Sequence, residues 1–141
     1  MTQEEKDLLL KDLCTRLPYG VKIKTSYDRI KEPIRLLSIN PKEDTFTIGG
    51  KFTTISGLEL DLYDCKPYLF PLSSMTKEQR NKLEYNFSIV LTRHDNLFFQ
   101  DGCVIHEDCY LLIDWLIANH FDYRGLIPMG LAIDCTNLNI Y

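Results

Sequence analysis

The sequence lacks a surplus of positive charge, a long apolar run and the glycine-rich loops that hold phosphates. Its 16 Lys and Arg against 20 Asp and Glu give the 141-residue chain a net charge of −4. This charge argues against general nucleic-acid binding, which needs a surplus of Lys and Arg. Apolar runs such as Leu8–Leu10 are far shorter than the roughly 20 residues that span a bilayer, so we expect no membrane protein. Neither G-x-x-x-x-G-K-[ST] nor G-x-G-x-x-G occurs, so the usual phosphate cradles are missing.

An export signal and a disulfide framework are missing as well. The segment Met1–Glu5 is acidic where a secretory signal is basic, and no apolar segment follows it before Lys11. We therefore expect a cytoplasmic protein, inside the cell that makes it. The five cysteines are an odd number and are widely spread, which predicts reduced and mostly buried thiols.

The length fits a single domain, 1–141, with a real core. Hydrophobic residues make up 45% of the chain and charged residues 26%, as in ordinary globular proteins. The predicted fold class is α+β: an N-terminal helix (1–17), a small antiparallel SH3-like barrel or curled sheet (18–71), and a helical or mixed C-terminal region (72–141).

Two helices have clear start signals in the sequence. Thr2 with Glu5 fits a capping box, in which a hydroxyl and a carboxylate satisfy unpaired N–H groups at a helix start. The leucines that follow at helical spacing predict a helix from about Gln3 to Arg16. Thr76 with Gln79 forms a second capping pattern. A final helix is predicted over about 107–119.

A period of two begins at residue 21 and predicts strands. Apolar residues and Thr25 alternate with lysines over 21–25, and strands are predicted over 34–39, 45–48 and 51–55, and from 58 onward. Gly49-Gly50 is a hairpin signal, since glycine supplies the positive φ of primed turns. Because of its prolines, 66–71 is expected to leave the sheet. A short strand is predicted over 97–99, whereas 87–95 fits either helix or strand.

Catalytic and metal-binding patterns are weak. "CVIHEDC" places Cys103, His106 and Cys109 two residues apart, with His94 upstream, but zinc needs about four converging ligands and no partner pair follows. We favour buried cysteines and a capping histidine. No nucleophile elbow surrounds any Cys or Ser. The sequence predicts no catalytic residue, no metal and no cofactor, and favours a protein that is not an enzyme.

"VKIKTSYDRIKEPIR", residues 21–35, carries five basic residues against two acidic ones. Lys22 and Lys24 would share one face of a strand, with Tyr27 and Arg29 near its turn. Such a patch could hold phosphates of a nucleotide or an RNA segment, with tyrosine as a stacking surface. The alternative is a solvated outer face whose lysines discourage strand pairing.

"FDYRGLIPMGL", residues 121–131, fits neither helical nor strand periodicity. We expect Phe121 to fold back onto the final helix and Asp122 to cap one further turn through Ile127. The glycines would permit close approach to the barrel. Two residues remain unexplained by structure, Tyr123 and Arg124, and they join the candidate ligand-binding residues. The full predicted set is Lys22, Lys24, Tyr27, Arg29, Tyr123 and Arg124.

Three blocks together carry a family resemblance: "LCTRLPYGVK" (13–22), "KPYLFPLSSMTKEQR" (66–80) and "DWLIANHFDYRGLIPMGLAID" (114–134). The chain resembles a family of uncharacterised small accessory proteins of bacteriophages and integrated elements of gut anaerobes. The resemblance implies a genomic setting, and not a mechanism.

From that setting we expect a non-enzymatic phage-type binding protein that acts in counter-defence, by sequestering a nucleotide signal or by binding a host protein. One alternative is a protein-interaction or assembly module that forms a homo-oligomer through Trp115, Tyr123 and neighbouring apolar surface. Another is a metal-dependent hydrolase that uses the 94–109 cluster.

Overall fold

The computed structural model describes residues 1–26, 33–43, 45–49, 58–87, 89–91, 97–99 and 106–141. It shows the predicted α+β fold, with an N-terminal helix, a six-stranded sheet and a C-terminal helix. The helices are α1 (Gln3–Arg16), α2 (Lys77–Phe87) and α3 (His106–Ala118). The strands are β1 (Lys22–Thr25), β2 (Ile34–Asn40), β3 (Thr45–Gly49), β4 (Leu58–Asp61), β5 (Cys65–Leu69), β6 (Ile89–Leu91), β7 (Leu97–Phe99) and β8 (Ile133–Asp134).

The large sheet has the strand order β4-β3-β2-β1-β5-β8. Neighbouring strands are antiparallel from β4 to β5, whereas β5 and β8 are parallel. Among the described strands, β4 and β8 lie at opposite edges, so the sheet is open and is not closed into a barrel. Strands β6 and β7 pair separately as a two-stranded sheet. No helix in the described part of the chain has the length and apolar character needed to cross a membrane.

Helix α1 begins where its capping box predicts. The Thr2 hydroxyl accepts a hydrogen bond from the Glu5 N–H at 3.2 Å, and the Thr2 N–H donates to the Glu5 carboxylate at 2.6 Å. The helix buries Leu9 and Leu13 against the sheet, where they join the main apolar core. Gly20, at φ 72°, ends the short turn that follows the helix.

Strand β1 shows the predicted alternation. Ile23 and Thr25 are buried, whereas Lys24 is exposed and Lys22 half-buried on the opposite face. The predicted strands at 34–39, 45–48 and from 58 are also confirmed as β2, β3 and β4. Gly49 ends β3, and the rest of the predicted hairpin, including the strand at 51–55, lies outside the described residues.

The expectation that 66–71 leaves the sheet is wrong for most of that segment. Strand β5 lies inside the sheet, between β1 and β8, and Pro67 is in register with Ile23. Cys65, Tyr68 and Leu69 are buried in this strand. Burial of these apolar side chains outweighs the one N–H donor that the proline lacks.

The C-terminal region contributes to the sheet, which its sequence does not predict. Beyond the parallel pairing of β8 with β5, the Cys135 N–H donates to the Leu69 carbonyl at 3.0 Å. Just after β5, the Phe70 N–H donates to the His120 carbonyl at 2.9 Å, and the Phe70 carbonyl accepts from the Asp122 N–H at 2.8 Å. The segment after α3 is therefore fixed against the end of β5.

A second apolar cluster lies between α2 and α3. Helix α2 begins at the predicted capping pair, in which the Thr76 hydroxyl accepts from the Gln79 N–H and the Gln79 side chain accepts from the Thr76 N–H. The helix extends to Phe87 and β6 spans Ile89–Leu91, so the described residues of 87–95 include both helix and strand. The predicted strand at 97–99 is confirmed as β7. The buried members of the cluster are Leu72, Met75, Leu83, Leu112, Leu116 and Phe121.

Candidate functional site

Helix α3 ends in a motif that places a histidine where glycine is usual. The His120 N–H donates to the Ile117 carbonyl at 3.0 Å and the Phe121 N–H to the Leu116 carbonyl at 2.9 Å. These are the two bonds of a Schellman motif, whose first residue beyond the helix takes the left-handed conformation. His120 adopts φ 59° there, and Phe121 turns back to stack on Trp115 with ring centroids 5.7 Å apart. The predicted return of Phe121 onto the helix is confirmed.

The next turn is capped by Asp122, also as predicted. Its carboxylate accepts hydrogen bonds from the Leu126 N–H at 2.8 Å and the Ile127 N–H at 2.7 Å. The predicted role of Gly125 and Gly130 in close packing is wrong, since an added Cβ would meet only a Pro128 carbon at 3.8 Å from Gly125 and nothing within 4 Å of Gly130. Both adopt positive φ, 74° and 72°, and this conformation is the reason for glycine.

Arg16, at the end of α1, has no exposed surface and joins that helix to the segment after α3. Its Nε and Nη2 donate to the two carboxylate oxygens of Asp12, at 2.6 and 3.2 Å. Nη2 also donates to the Phe121 carbonyl at 2.7 Å. Asp12 is likewise fully buried. This bidentate pair satisfies both carboxylate oxygens and part of the guanidinium.

A second guanidinium shares the same carboxylate. Arg124 Nε lies 3.3 Å from Asp12 Oδ1, although it does not point along a hydrogen bond. The Tyr123 ring lies beside both cations, with its centroid 5.8 Å from Arg16 Cζ and 4.7 Å from Arg124 Cζ. The Arg124 side chain is 20% exposed, so solvent reaches the cluster from its side. We name Asp12, Arg16, Tyr123 and Arg124 the arginine cluster.

The arginine cluster has unused hydrogen-bonding capacity. Among the described residues, Arg16 Nη1 and the Tyr123 hydroxyl are buried without a well-formed hydrogen bond. Burial raises the pKa of Tyr123 despite the neighbouring Arg124, so the phenol keeps its proton and can donate. A buried guanidinium N–H without an acceptor is costly. The cluster is therefore rich in donors and short of acceptors.

His120 precedes Phe121, whose carbonyl binds Arg16, and its ring packs on that of Tyr141. The two rings stack at 3.8 Å between centroids, with 12° between their planes. Burial, followed by the charges of Arg16 and Lys22, lowers the pKa of His120 to about 4, so the imidazole is neutral at pH 7. Its Nδ1 is buried and has no hydrogen-bond partner among the described residues.

The predicted ligand-binding residues fall into separate places. Tyr123 and Arg124 lie together in the arginine cluster. Lys22 and Lys24 share a face of β1 as expected, but the Lys22 ammonium binds the Ile140 carbonyl, whereas Lys24 is exposed. Tyr27 and Arg29 lie outside the described residues. His120 is influenced by both places, because the charges of Arg16 in the arginine cluster and of Lys22 on β1 both lower its pKa.

Four residues of the site are absent from the sequence-based prediction: Asp12, Arg16, His120 and Tyr141. The spacing of Asp12 and Arg16, four residues apart on a helix, is a visible ion-pair signal. Such pairs are usually solvent-exposed, and only the docking of the segment after α3 buries this one. His120 and Tyr141 carry no sequence signal for their contact.

Comparisons of the chain with protein-family models, curated proteins and solved structures give no match. Of the residues that the alternative of a metal-dependent hydrolase would use, His94 and Cys103 lie outside the described residues. Within the described ones, no three His, Cys, Asp or Glu residues are grouped so as to hold a metal ion.

Proposed function

We propose that the protein is a non-enzymatic binding protein that takes a phosphate-bearing small molecule, of the nucleotide-signal class, at the arginine cluster. The observation that carries the proposal is the fully buried Arg16 with an unpartnered Nη1, next to the partly exposed Arg124. Planar guanidinium groups bind phosphate oxygens in pairs, with stronger hydrogen bonds than neutral donors form.

Charge balance supports an anion at this place. Arg16 and Arg124 share the single carboxylate of Asp12, so the four residues of the arginine cluster carry two formal positive charges and one negative charge. Asp122 is not a member of the cluster and keeps its own charge while it accepts from two backbone N–H groups. The cluster thus keeps a local positive charge within a chain of net charge −4. An uncompensated charge in a buried place is costly, and a bound phosphate would offset it.

The state of the described thiols supports binding rather than nucleophilic catalysis. Cys14, Cys65 and Cys135 are free thiols, and the latter two are buried. Burial raises the pKa of all three, that of Cys135 to about 11. A thiol is nucleophilic as its thiolate, and the raised pKa values keep these three thiols mostly protonated at neutral pH.

The phage resemblance supports a biological reason for such binding. A small phage protein that sequesters a nucleotide signal of its host would act in counter-defence, without any need for catalysis. Binding of a host protein by the same surface is the other form of this proposal, and the ligand measurement below separates the two.

Calorimetric titration with cyclic nucleotides, ADP-ribose-type signals and inorganic pyrophosphate tests the proposal. We expect at least one phosphate-bearing ligand to bind. Arg124→Ala should weaken that binding about tenfold or more, since a hydrogen bond to a charged group contributes about 1.5–3 kcal/mol. Lys42→Ala, which removes an exposed cation in the turn between β2 and β3, is the control and should bind as the wild type does. If none of these phosphate-bearing ligands binds, the nucleotide form of the proposal is wrong.

A homo-oligomer is the second candidate, and exposed apolar side chains on α2 and α3 favour it. Tyr85 is 89% exposed, Tyr110 69% and Leu111 58%. Two residues that the sequence predicts for such an interface are instead packed within the chain, with Trp115 on Phe121 and Tyr123 beside two guanidiniums. Size-exclusion chromatography with light scattering should show a dimer that Leu111→Glu dissociates, and a monomer at high concentration would contradict this candidate.

A further inference from the structure

The side chain of Tyr141 is held by groups from three separate parts of the chain. Its ring stacks on the His120 imidazole at 3.8 Å and meets the Phe70 ring at 6.0 Å between centroids. The Lys22 ammonium lies 5.7 Å from the centre of the same ring. We call His120, Phe70, Lys22 and Tyr68 the tyrosine seat.

Backbone groups contact the polar end of the ring. The Tyr141 hydroxyl accepts from the Lys22 N–H at 3.0 Å and donates to the Tyr68 carbonyl at 2.9 Å. The seat therefore offers one donor and one acceptor in fixed positions, a stacking face, and a cation beside the ring. A planar heteroaromatic ring with both an acceptor and a donor on its edge matches these groups, and nucleobases have that edge chemistry.

His120 adopts a backbone conformation that costs free energy for any residue with a side chain. A non-glycine residue at φ 59° is strained, and glycine is the usual residue at this position of a Schellman motif. The histidine ring is also buried with Nδ1 unpartnered among the described residues. The strained backbone thus holds a neutral imidazole, which can form a hydrogen bond, in its place in the tyrosine seat.

The tyrosine seat adjoins the arginine cluster. Arg16 lies close enough to both rings to affect the pKa values of His120 and Tyr141. The backbone also links the two places, since Arg16 Nη2 binds the carbonyl of Phe121, the residue that follows His120. A nucleotide could then place its phosphates at the guanidiniums and its base on the imidazole.

The segment that carries Tyr141 is held lightly elsewhere. Residues 136–139 are exposed, and the backbone N–H groups of Leu138 and Ile140 donate to the nearby carbonyls of Cys135 and Leu138. The described ties to the rest of the fold are the Tyr141 side chain and the bond from Lys22 to the Ile140 carbonyl. Release of Tyr141 from its contacts would therefore leave Cys135 bonded to Leu69.

From these contacts we infer that Tyr141 is an internal occupant of a nucleobase subsite, and that the ligand is a nucleotide whose base displaces it and stacks on His120. The inference rests on the proposed function, because the phosphates of that nucleotide bind the arginine cluster. Tyr141 then competes with the ligand from within the same chain and lowers its affinity.

Calorimetric titration of ADP and of inorganic pyrophosphate into variants of the full chain tests the inference. Tyr141→Ala should bind ADP at least tenfold more tightly than the wild type and should bind pyrophosphate equally well. Tyr141→Phe keeps the ring but loses both hydrogen bonds of the hydroxyl, so it should gain affinity for ADP by less than Tyr141→Ala does. His120→Gly, which fits the left-handed backbone, should weaken ADP binding and leave pyrophosphate binding unchanged. If Tyr141→Ala does not fold by circular dichroism, Tyr141→Leu keeps apolar contact without the hydroxyl and should show the same gain for ADP.

The possible failures are distinguishable. If pyrophosphate and ADP bind in an Arg124-dependent way, but Tyr141→Ala leaves their affinity ratio unchanged, Tyr141 is a structural tie and the inference is overturned while the proposed function stands. If neither probe binds the wild type or any variant, the proposed function fails and the inference fails with it.

Discussion

His120 combines a strained backbone, a buried and stacked side chain, and the influence of two cations. It ends α3 in a strained conformation, stacks on Tyr141, and faces the cations Arg16 and Lys22. Burial and these two cations all disfavour the imidazolium form. Stability must therefore depend on pH through this side chain.

The free energy of unfolding should fall on acidification partly because of His120. Its pKa is about 4 in the folded protein against 6.5 when unperturbed, so between these values the unfolded chain binds a proton that the folded chain does not. The contribution is complete above pH 6.5 and is lost as the pH falls toward 4. Between pH 7 and 4.5, urea denaturation should show the wild type losing about 2 kcal/mol more than His120→Asn. Equal losses would mean that the folded protein accepts the proton freely.

The sequence predicted residues of the site only where helix capping and packing did not already explain why a residue is present. Tyr123 and Arg124 stand out because capping and packing explain their neighbours, and the structure places both beside Asp12. Arg16 could not be found this way, since its burial depends on a segment more than 100 positions away in the chain, as the bond to the Phe121 carbonyl shows. Whether the six predicted residues bind a ligand stays a prediction.

Among the elements, those with local signals were predictable. The bounds of α1 follow from its capping box and leucine spacing, and the strands β1 to β4 follow from alternation and turn residues. The prediction that 66–71 leaves the sheet is wrong at β5, because Pro67 is unusual inside a strand. The pairing of β5 with β1 and β8 joins residues far apart in the chain, so no local pattern indicates it. The two residues of β8 are too few to leave a periodic signal.

The turn after Asp122 gives a prediction at this scale. Gly125→Ala should destabilise the protein by about 1–2 kcal/mol, the cost of placing a Cβ in the left-handed region. Space is not the reason, because the added carbon would meet only Pro128 at 3.8 Å. Gly125→Asn is the matched control and should lose clearly less, since asparagine tolerates this conformation. Urea denaturation midpoints measure both, and an alanine variant as stable as the wild type would contradict the argument.

At the scale of the whole molecule, two apolar clusters meet at the segment after α3. The first lies between α1 and the sheet, and the second between α2 and α3. Phe121 belongs to the second cluster, while its carbonyl binds Arg16 at the end of α1. The same segment is bonded to Phe70 at the end of β5. These ties predict that the clusters unfold together, as a single domain would.

Trp115 allows a direct test, because it is the only tryptophan of the chain and packs against the second cluster. Its fluorescence and the far-ultraviolet circular dichroism should report one coincident urea transition. Leu13→Ala in the first cluster and Leu83→Ala in the second remove fully buried side chains. Each should shift both signals together, by about 2–5 kcal/mol. Two separated transitions would divide the chain into two independently folding units.

The parallel pairing of β5 with β8 sets an order in time for the newly made chain. Antiparallel neighbours such as β2 and β3 are joined by short connections and can pair while synthesis continues. Strand β8 follows both α2 and α3, so it reaches the ribosome exit after everything it pairs with. The Phe121 carbonyl that Arg16 binds also emerges late. In a nascent chain, Arg16 can therefore pair with Asp12 on its own helix at once, whereas its bond to the Phe121 carbonyl has to wait until α2, α3 and the segment after α3 have been made.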